Sequence, residues 1–312
     1  PNSQRSCARA RLGPVNAPQT TNRWVLGARP RTLPASVVPV IVGTACAVGV
    51  GRPIPVWRVV AAMVVSLAIQ VATNYSNDYS DGVRGTDSAG RVGPVRLVAS
   101  GLASAAEVKR AALLAFAVAG VAGLALAAAA GWQLLLVGAA CMAAAWFYTG
   151  GKHPYGYAGL GELFVFVFFG LVATAGTTYA LTERLTGLSL AAGVPVGLLC
   201  TALLVINNLR DIPSDRNVGK RTLAVRLGDR RTRALYVALI VVAMVATSMI
   251  AGLSGRPLAV LGLVAIPLAR GPAEKVLGGA SGPALIPALG GTGRVQLIFG
   301  LTFALGLWLG GL

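Results

Sequence analysis

The 312-residue sequence carries 27 basic and 10 acidic residues for a net charge of +17, yet only 12% of it is charged, 55% is hydrophobic and the mean hydropathy is +0.71. An ordinary soluble domain, with about 25% charged residues, is excluded. Apolar runs of roughly 15 to 20 residues separated by short polar segments mark a polytopic helical membrane protein, so the basic excess reads as loop charge facing lipid headgroups rather than as a nucleic-acid surface.

In chain order, residues 1–23 hold Arg5, Arg9, Arg11 and Arg23 with no acidic residue and no apolar core. They are expected to form a disordered basic tail, neither a secretory signal nor a span. Trp24 to Thr32 suits a short interfacial helix, because tryptophan and arginine favour the headgroup level. A single membrane domain then fills 24–312. Its fold class is all-α, a bundle of about nine transmembrane helices around a central cavity. The expected spans are Leu33–Val50, Val59–Asp81, Ala111–Ala130, Leu134–Tyr148, Leu163–Ala180, Leu190–Ile206, Ala234–Ile250, Leu258–Leu268 and Val295–Leu309. The eighth, short and bounded by Pro257 and Pro267, is the weakest. Frequent Gly and Ala suit close helix packing in lipid. Cys46, Cys141 and Cys200 lie in apolar runs without metal-ligand spacing, so they read as packing residues, as does Cys7 in the tail.

With the N-terminus inside, all but Arg52, Arg58, Arg184 and Arg256 of the 27 basic residues fall on one side of these spans. The positive-inside rule makes that side cytoplasmic. The expectation is a multi-pass plasma-membrane protein with its chemistry at the cytoplasmic face.

Half of the acidic residues sit in two clusters, each closing an apolar run. The first is Asn74-Tyr75-Ser76-Asn77-Asp78-Tyr79-Ser80-Asp81, followed by Asp87; the second is Asn207-Asn208-Leu209-Arg210-Asp211-Ile212-Pro213-Ser214-Asp215. On a continuous helix Asn74, Asp78 and Asp81 share one face at i, i+4 and i+7, and Asn207, Asp211 and Asp215 repeat the pattern at i, i+4 and i+8. Pro213 disfavours helical geometry at Ile212, which would put Asp215 on a turn. A carboxylate at a helix C-terminus is disfavoured by up to about 1 kcal/mol, and a charge within the bilayer costs about 3 kcal/mol or more. Something cationic must offset this. Arg84, Arg96, Arg210, Lys220 and Arg221 could do so as a structural ion-pair network. Oxygen-only clusters without His or Cys equally suit a hard cation, and Mg²⁺ binds one or two carboxylates together with phosphate. Facing each other, the clusters would hold a diphosphate, with Lys and Arg on its outer oxygens. Gly219-Lys220-Arg221-Thr222 lacks the first glycine and the Ser or Thr that a nucleotide phosphate loop requires. A diphosphate with a polyprenyl tail is the simpler ligand, since each buried methylene contributes about 0.8 kcal/mol.

These paired motifs, with Tyr148-Thr149-Gly150-Gly151-Lys152 between them, resemble the UbiA superfamily of intramembrane prenyltransferases. Fuller strings are similar to its 1,4-dihydroxy-2-naphthoate prenyltransferases: Ala28-Arg29-Pro30-Arg31-Thr32-Leu33-Pro34, Asn77 to Asp81 through Gly85-Thr86-Asp87, Arg91-Val92-Gly93-Pro94-Val95-Arg96, Gly161-Glu162-Leu163-Phe164 through Gly170, and Asn207 to Asp211. The resemblance runs from about residue 24 to 235. It implies Mg²⁺-dependent transfer of a polyprenyl group from its diphosphate to the aromatic acceptor with loss of CO₂, giving demethylmenaquinol. By motif, Asp78, Asp81, Asp211 and Asp215 would hold Mg²⁺ and diphosphate, supported by Asn74, Asn77, Asn207 and Asn208. Many members place an acid four residues after the second aspartate; Gly85 stands there and Asp87 follows, so Asp87 is a further metal candidate or a loop organiser. Lys152, Arg84, Arg96, Arg210 and Lys220 are candidates for diphosphate contacts, Tyr148 for the allylic site, and Arg29 and Arg31 for headgroups or the acceptor carboxylate. His153 reads as a solvated loop residue, Glu162 as a helix cap or an acceptor ligand, and Phe164, Phe166, Phe168 and Phe169 as facing lipid or core. Two rival readings are another acceptor (hydroxybenzoate, homogentisate or a phosphosugar) and a cation transporter, whose acids would lie near the bilayer midplane.

Overall fold

The computed structural model describes residues 22–51, 53–87 and 93–312; residues 1–21 of the expected tail, Arg52 and Arg91 lie outside the described residues, whereas Arg23, expected in that tail, is the first residue of a helix and pairs with Glu107. All regular structure among these residues is helical. A short α1 (Arg23–Ala28) and a 3-10 turn (Pro30–Thr32) lead into α2 (Pro34–Ala47), α3 (Val56–Arg84), α4 (Ala105–Ala130) and α5 (Gln133–Phe147). Next come α6 (Gly161–Val165), a π-helical segment (Phe166–Val172) and α7 (Ala173–Thr182), which run on as one rod, then α8 (Gly187–Asn217) and α9 (Leu223–Leu253). The 3-10 segment Pro257–Ala265 continues into α10 (Ile266–Leu277), and Gly282–Leu285 into α11 (Ile286–Leu309).

Among the described residues, six helical stretches are long and apolar enough to cross a membrane: Val56–Arg84, Ala105–Ala130, Gly161–Thr182, Gly187–Asn217, Leu223–Leu253 and Gly282–Leu309. Pro34–Ala47 and Gln133–Phe147 are shorter apolar helices. The expected eighth span is helical, within Pro257–Leu277, but is not among the six; Arg270, Glu274 and Lys275 follow it in α10.

Glycine sets the closest helix contacts. A Cβ on Gly170 would lie 2.5 Å from the Gly197 Cα, and one on Gly306 would lie 1.9 Å from the Leu258 carbonyl oxygen. The first contact locks the π-helical segment onto α8, the second locks α11 onto Pro257–Ala265. The main core gathers Val38, Leu199, Ile206, Tyr236, Phe299 and Phe303 from α2, α8, α9 and α11.

Two arginines at the end opposite the aspartate clusters serve the helices. Arg256 donates to the Ala45 carbonyl at 3.3 Å, Val48 at 2.5 Å and Leu307 at 2.7 Å, and Arg58 donates to Ala129 at 2.8 Å and Ala180 at 3.1 Å. Each therefore collects carbonyls at the ends of helices, where backbone donors run short. Two of the four arginines that depart from the charge asymmetry thus have a structural task.

The helix α8 does not stop at Pro213. It runs to Asn217, so Asp215 is helical rather than on a turn, as the proline suggested. Proline does not end this helix: the Leu209 carbonyl lacks the amide donor that residue 213 would supply, while the turn beyond is held by packing, with Asp211, Ile212 and Asp215 all buried.

Candidate active site

One large cavity of about 1530 Å³ opens between the helices. Its polar end is bounded by Asn74, Asn77 and Asp81 of α3 and by Asn207, Asn208 and Asp215 of α8, with Arg29, Arg96, Arg210 and Lys220 among them. Its apolar end reaches Val40, Ala62, Leu126 and Ala180, a buried cluster near the other ends of the helices. Between Asp81 and Ala62 the wall follows α3 for roughly 28 Å at 1.5 Å per residue. Asp78 and Asp81 lie in the last turns of α3, and Asp211 and Asp215 in those of α8. The acids are therefore at one end of the bundle, unlike the midplane acids of a transporter.

The fold divides each cluster between two faces. Asp81 takes the Lys220 ammonium on Oδ2 at 3.0 Å and the Tyr157 hydroxyl on Oδ1 at 2.5 Å. Asp78 is fully buried (0% exposed) and does not line the cavity. It accepts from the guanidiniums of Arg29 and Arg96, the latter at 2.7 Å, and from the Leu97 amide at 3.1 Å. Arg29 reaches it because its own backbone is left-handed, turning the chain between α1 and the next 3-10 turn. Thus the cavity-facing series on α3 is Asn74, Asn77 and Asp81, whereas the sequence spacing had put Asp78 on that face. On α8, Asp211 likewise forms a double hydrogen bond with Arg210, at 2.7 and 2.8 Å, and is absent from the cavity wall. Asp215 lies on it.

Arg96 is the hub of the loop after α3. Its guanidinium lies 2.7 Å from Asp78, 3.3 Å from Asp87 and 4.0 Å from Asp81. Burial alone would lower its pKa, but the three carboxylates raise it above the ordinary arginine value. Asp87 therefore organises this loop through Arg96. Gly93 (φ 139°) lets the same loop cross the Arg210 side chain, since a Cβ there would meet that guanidinium at 3.1 Å. The first motif's loop thereby caps the second motif.

The asparagines have separate tasks. Asn74 donates to the Ala28 carbonyl at 2.9 Å and the Thr32 hydroxyl at 3.2 Å, tying the chain entry to α3. Asn77 accepts from Thr149 at 2.8 Å, and Asn208 donates to Glu162 at 2.9 Å. Arg84 is exposed and donates to the Thr149 and Gly151 carbonyls, so it fastens the loop after α5 rather than lining the cavity. Lys152 and His153 are exposed outside the cavity wall. Arg31 lines the cavity mouth.

Tyr157 was not singled out by sequence, although Pro154-Tyr155-Gly156-Tyr157 is an unusual tyrosine pair for a polar loop. It bridges Asp81, the Thr86 hydroxyl at 3.1 Å and the Lys220 ammonium, which lies 4.6 Å from its ring centre. Burial and the neighbouring Asp81 charge push its pKa up, so it stays a neutral donor. The phenylalanine run needs correction: Phe164, Phe168 and Phe169 line the cavity. Phe164 stacks on Tyr155 (4.0 Å between ring centres) and on Phe168 (5.9 Å), and Tyr155 meets Tyr148 edge-on at 5.5 Å. Four residues apart on a helical rod, Phe164 and Phe168 share a face, and that face meets the cavity rather than lipid.

The donors suit a hard cation that a ligand helps to hold. They are oxygens, and among the described residues no three acidic, His or Cys side chains converge enough to enclose an ion. That fits Mg²⁺, which takes one or two carboxylates and completes its shell with phosphate oxygens and water.

Solved structures that share the fold include a UbiA homologue from Aeropyrum pernix (TM-score 0.66, 18% identity, 88% of this chain and 97% of that one) and a UbiA homologue from Archaeoglobus fulgidus bound to GPP and Mg²⁺ (0.63, 12%, 92% and 100%). In sequence, the chain is 50% identical over 282 residues to the 1,4-dihydroxy-2-naphthoate octaprenyltransferase of Mycobacterium tuberculosis, covering 90% of this chain and 95% of that one. It is 37% identical over 296 residues to the Escherichia coli protein of the same name, covering 93% and 96%. Residues 36–276, which hold both aspartate clusters and the loops that join them, match the family profile, and the chain belongs to the UbiA prenyltransferase family, multi-pass membrane enzymes that transfer prenyl groups.

Proposed function

We propose that this protein transfers a polyprenyl group from polyprenyl diphosphate to 1,4-dihydroxy-2-naphthoate, releasing diphosphate and CO₂ and giving demethylmenaquinol, a step of menaquinone biosynthesis. The observation that carries this reading is the cavity itself. It joins a cationic, carboxylate-rich end to a long apolar wall, as a diphosphate with a polyprenyl tail requires, and the relatives acting on dihydroxynaphthoate align along nearly the whole chain.

The diphosphate sits between the α3 and α8 clusters, with Lys220, Arg96, Arg29 and Arg210 receiving its oxygens. Asp81 and Asp215 on the wall, with Asp78 and Asp211 behind them, would hold Mg²⁺. Bound there, it would neutralise charge building on the leaving diphosphate. The same cations that compensate the carboxylates then stabilise the departing anion in a site shielded from water. As the allylic carbon–oxygen bond breaks, the electron pair stays on diphosphate. The faces of Tyr148, Tyr155, Phe164 and Phe168 stabilise the allylic cation. The naphthoate ring carbon that bears the carboxylate attacks, and loss of CO₂ returns its bonding pair to the ring and restores aromaticity.

The bundle crosses the membrane nine times, the two short apolar helices and Pro257–Leu277 joining the six long stretches, and its polar end faces the cytoplasm, as the distribution of basic residues indicates. Purified protein supplied with a polyprenyl diphosphate, Mg²⁺ and equal concentrations of dihydroxynaphthoate, hydroxybenzoate and homogentisate tests the acceptor. Prenylated naphthalenediol should dominate; preferential prenylation of either other acceptor refutes the assignment.

A further inference from the structure

Glu162, the first acidic residue of α6, is 6% exposed and belongs to neither aspartate cluster. Its Oε1 accepts from the Asn208 Nδ2 at 2.9 Å, whereas its Oε2 is buried without a hydrogen-bond partner. Asn208 lines the cavity, and so does Tyr148. Tyr148 packs against the start of α6 so closely that a Cβ on Gly161 would meet its ring at 3.2 Å and its hydroxyl oxygen at 3.3 Å. Leaving a carboxylate oxygen buried and unpartnered costs free energy, so this arrangement needs a purpose beyond packing.

The purpose follows from donor chemistry. A carboxylate only accepts hydrogen bonds, so Glu162 obliges the Asn208 amide to turn its NH₂ away from the cavity and leaves Oδ1 facing in as an acceptor. An amide oxygen fixed this way suits a ligand that brings an O–H donor. The aromatic wall beside it (Tyr148, Tyr155 and Phe164) suits a planar ring. We propose that Asn208 Oδ1 is the subsite for a ring hydroxyl of the aromatic acceptor, and that Glu162 is the positioning residue that holds the amide in its accepting orientation. This rests on the proposed acceptor, a naphthalenediol carboxylate. It assigns specificity for hydroxylated rings to Asn208, on the α8 side of the polar end, and to Glu162 behind it.

The test compares equilibrium binding of 1,4-dihydroxy-2-naphthoate and of 2-naphthoate, which lacks both hydroxyls, to the purified full-length protein in detergent without prenyl diphosphate. The wild type should prefer the dihydroxy compound about tenfold, roughly the value of one hydrogen bond. Asn208→Ala and Glu162→Leu should each bring that ratio close to one while leaving 2-naphthoate affinity within about twofold. Glu162→Gln, whose amide oxygen still accepts from Asn208, should retain the preference, which a requirement for the carboxylate charge would abolish. An unchanged ratio in Asn208→Ala, collapse in Glu162→Gln as deep as in Glu162→Leu, or no preference in the wild type would each overturn the inference. Because binding is read without turnover, failure of the wild type to prenylate naphthoate would count against the proposed function and not against this subsite.

Discussion

The Lys220 ammonium lies 3.0 Å from Asp81 Oδ2, closing a contact between residues 139 positions apart in the chain. Through it the turn after α8 is bonded to the end of α3, and both aspartate motifs come to one cavity mouth. The pair is buried, with Tyr157 on the second oxygen of Asp81. A buried ion pair contributes little net stability, since desolvation offsets much of the attraction. Its value here is placement of a cation where diphosphate charge develops.

Lys220→Met should cost catalysis as well as folding, because it leaves the buried Asp81 with only the Tyr157 hydroxyl and Arg96 at 4.0 Å. A reduction in kcat of about 10²- to 10³-fold is expected, the range for losing one preorganised group that stabilises developing charge, with Lys220→Arg intermediate. Steady-state kinetics with varied polyprenyl diphosphate measures this, and a kcat within threefold of wild type for Lys220→Met would remove the residue from the site.

Because Asp78 compensates both Arg29 and Arg96 from a fully buried position, Asp78→Ala leaves those guanidiniums without it and should cost about 3 to 5 kcal/mol of stability. Turnover should also be lost, since Arg96 and Arg29 line the cavity. Thermal unfolding in detergent, run beside Asp81→Ala, checks this: the Asp78 variant should melt well below the Asp81 variant, although both insert into membranes.

Arg256 gives a test of the opposite end. Hydrogen bonds to charged groups contribute about 1.5 to 3 kcal/mol each, and Arg256 donates to three helix-end carbonyls. Arg256→Met should lower stability by about 3 kcal/mol while leaving the KM for prenyl diphosphate unchanged, because the residue lies outside the cavity wall. A changed KM with an unchanged melting temperature would contradict its capping role.

The raised pKa of Tyr157 has a signed consequence. The folded state keeps the phenol protonated to higher pH than the unfolded chain, whose tyrosine titrates near pH 10. Its contribution to stability is fully present below about pH 10 and is lost as pH rises from there through the folded value. Tyr157→Phe should leave stability less sensitive to pH above 10, as followed by urea unfolding at pH 9 and pH 11, and a variant as sensitive as wild type would count against it.

Much of this architecture is legible in the residues, and the gaps have physical causes. Apolar runs mark the helices because a membrane-crossing helix needs a continuous stretch. Pro213 is a local signal for a helix end, and helix packing overrides it in α8. Asp78 was set on the ligand face because i+3 and i+4 are both neighbours on a helix surface; only Arg29, Arg96 and the Leu97 amide, brought from other elements, show which way it turns. Tyr157 and the pairing of Glu162 with Asn208 depend on contacts between distant segments, so spacing alone could not place them.

The central claim is metal-assisted prenylation of dihydroxynaphthoate. The most direct measurement follows product formation by purified protein in liposomes with a polyprenyl diphosphate and ¹⁴C-carboxyl-labelled 1,4-dihydroxy-2-naphthoate, with Mg²⁺ or with EDTA. The expected result is prenylated naphthalenediol and labelled CO₂ in equal amounts with Mg²⁺, neither with EDTA, and recovery of both when Mg²⁺ is restored. Absence of product with Mg²⁺ present, or product formation undiminished by EDTA, would contradict it.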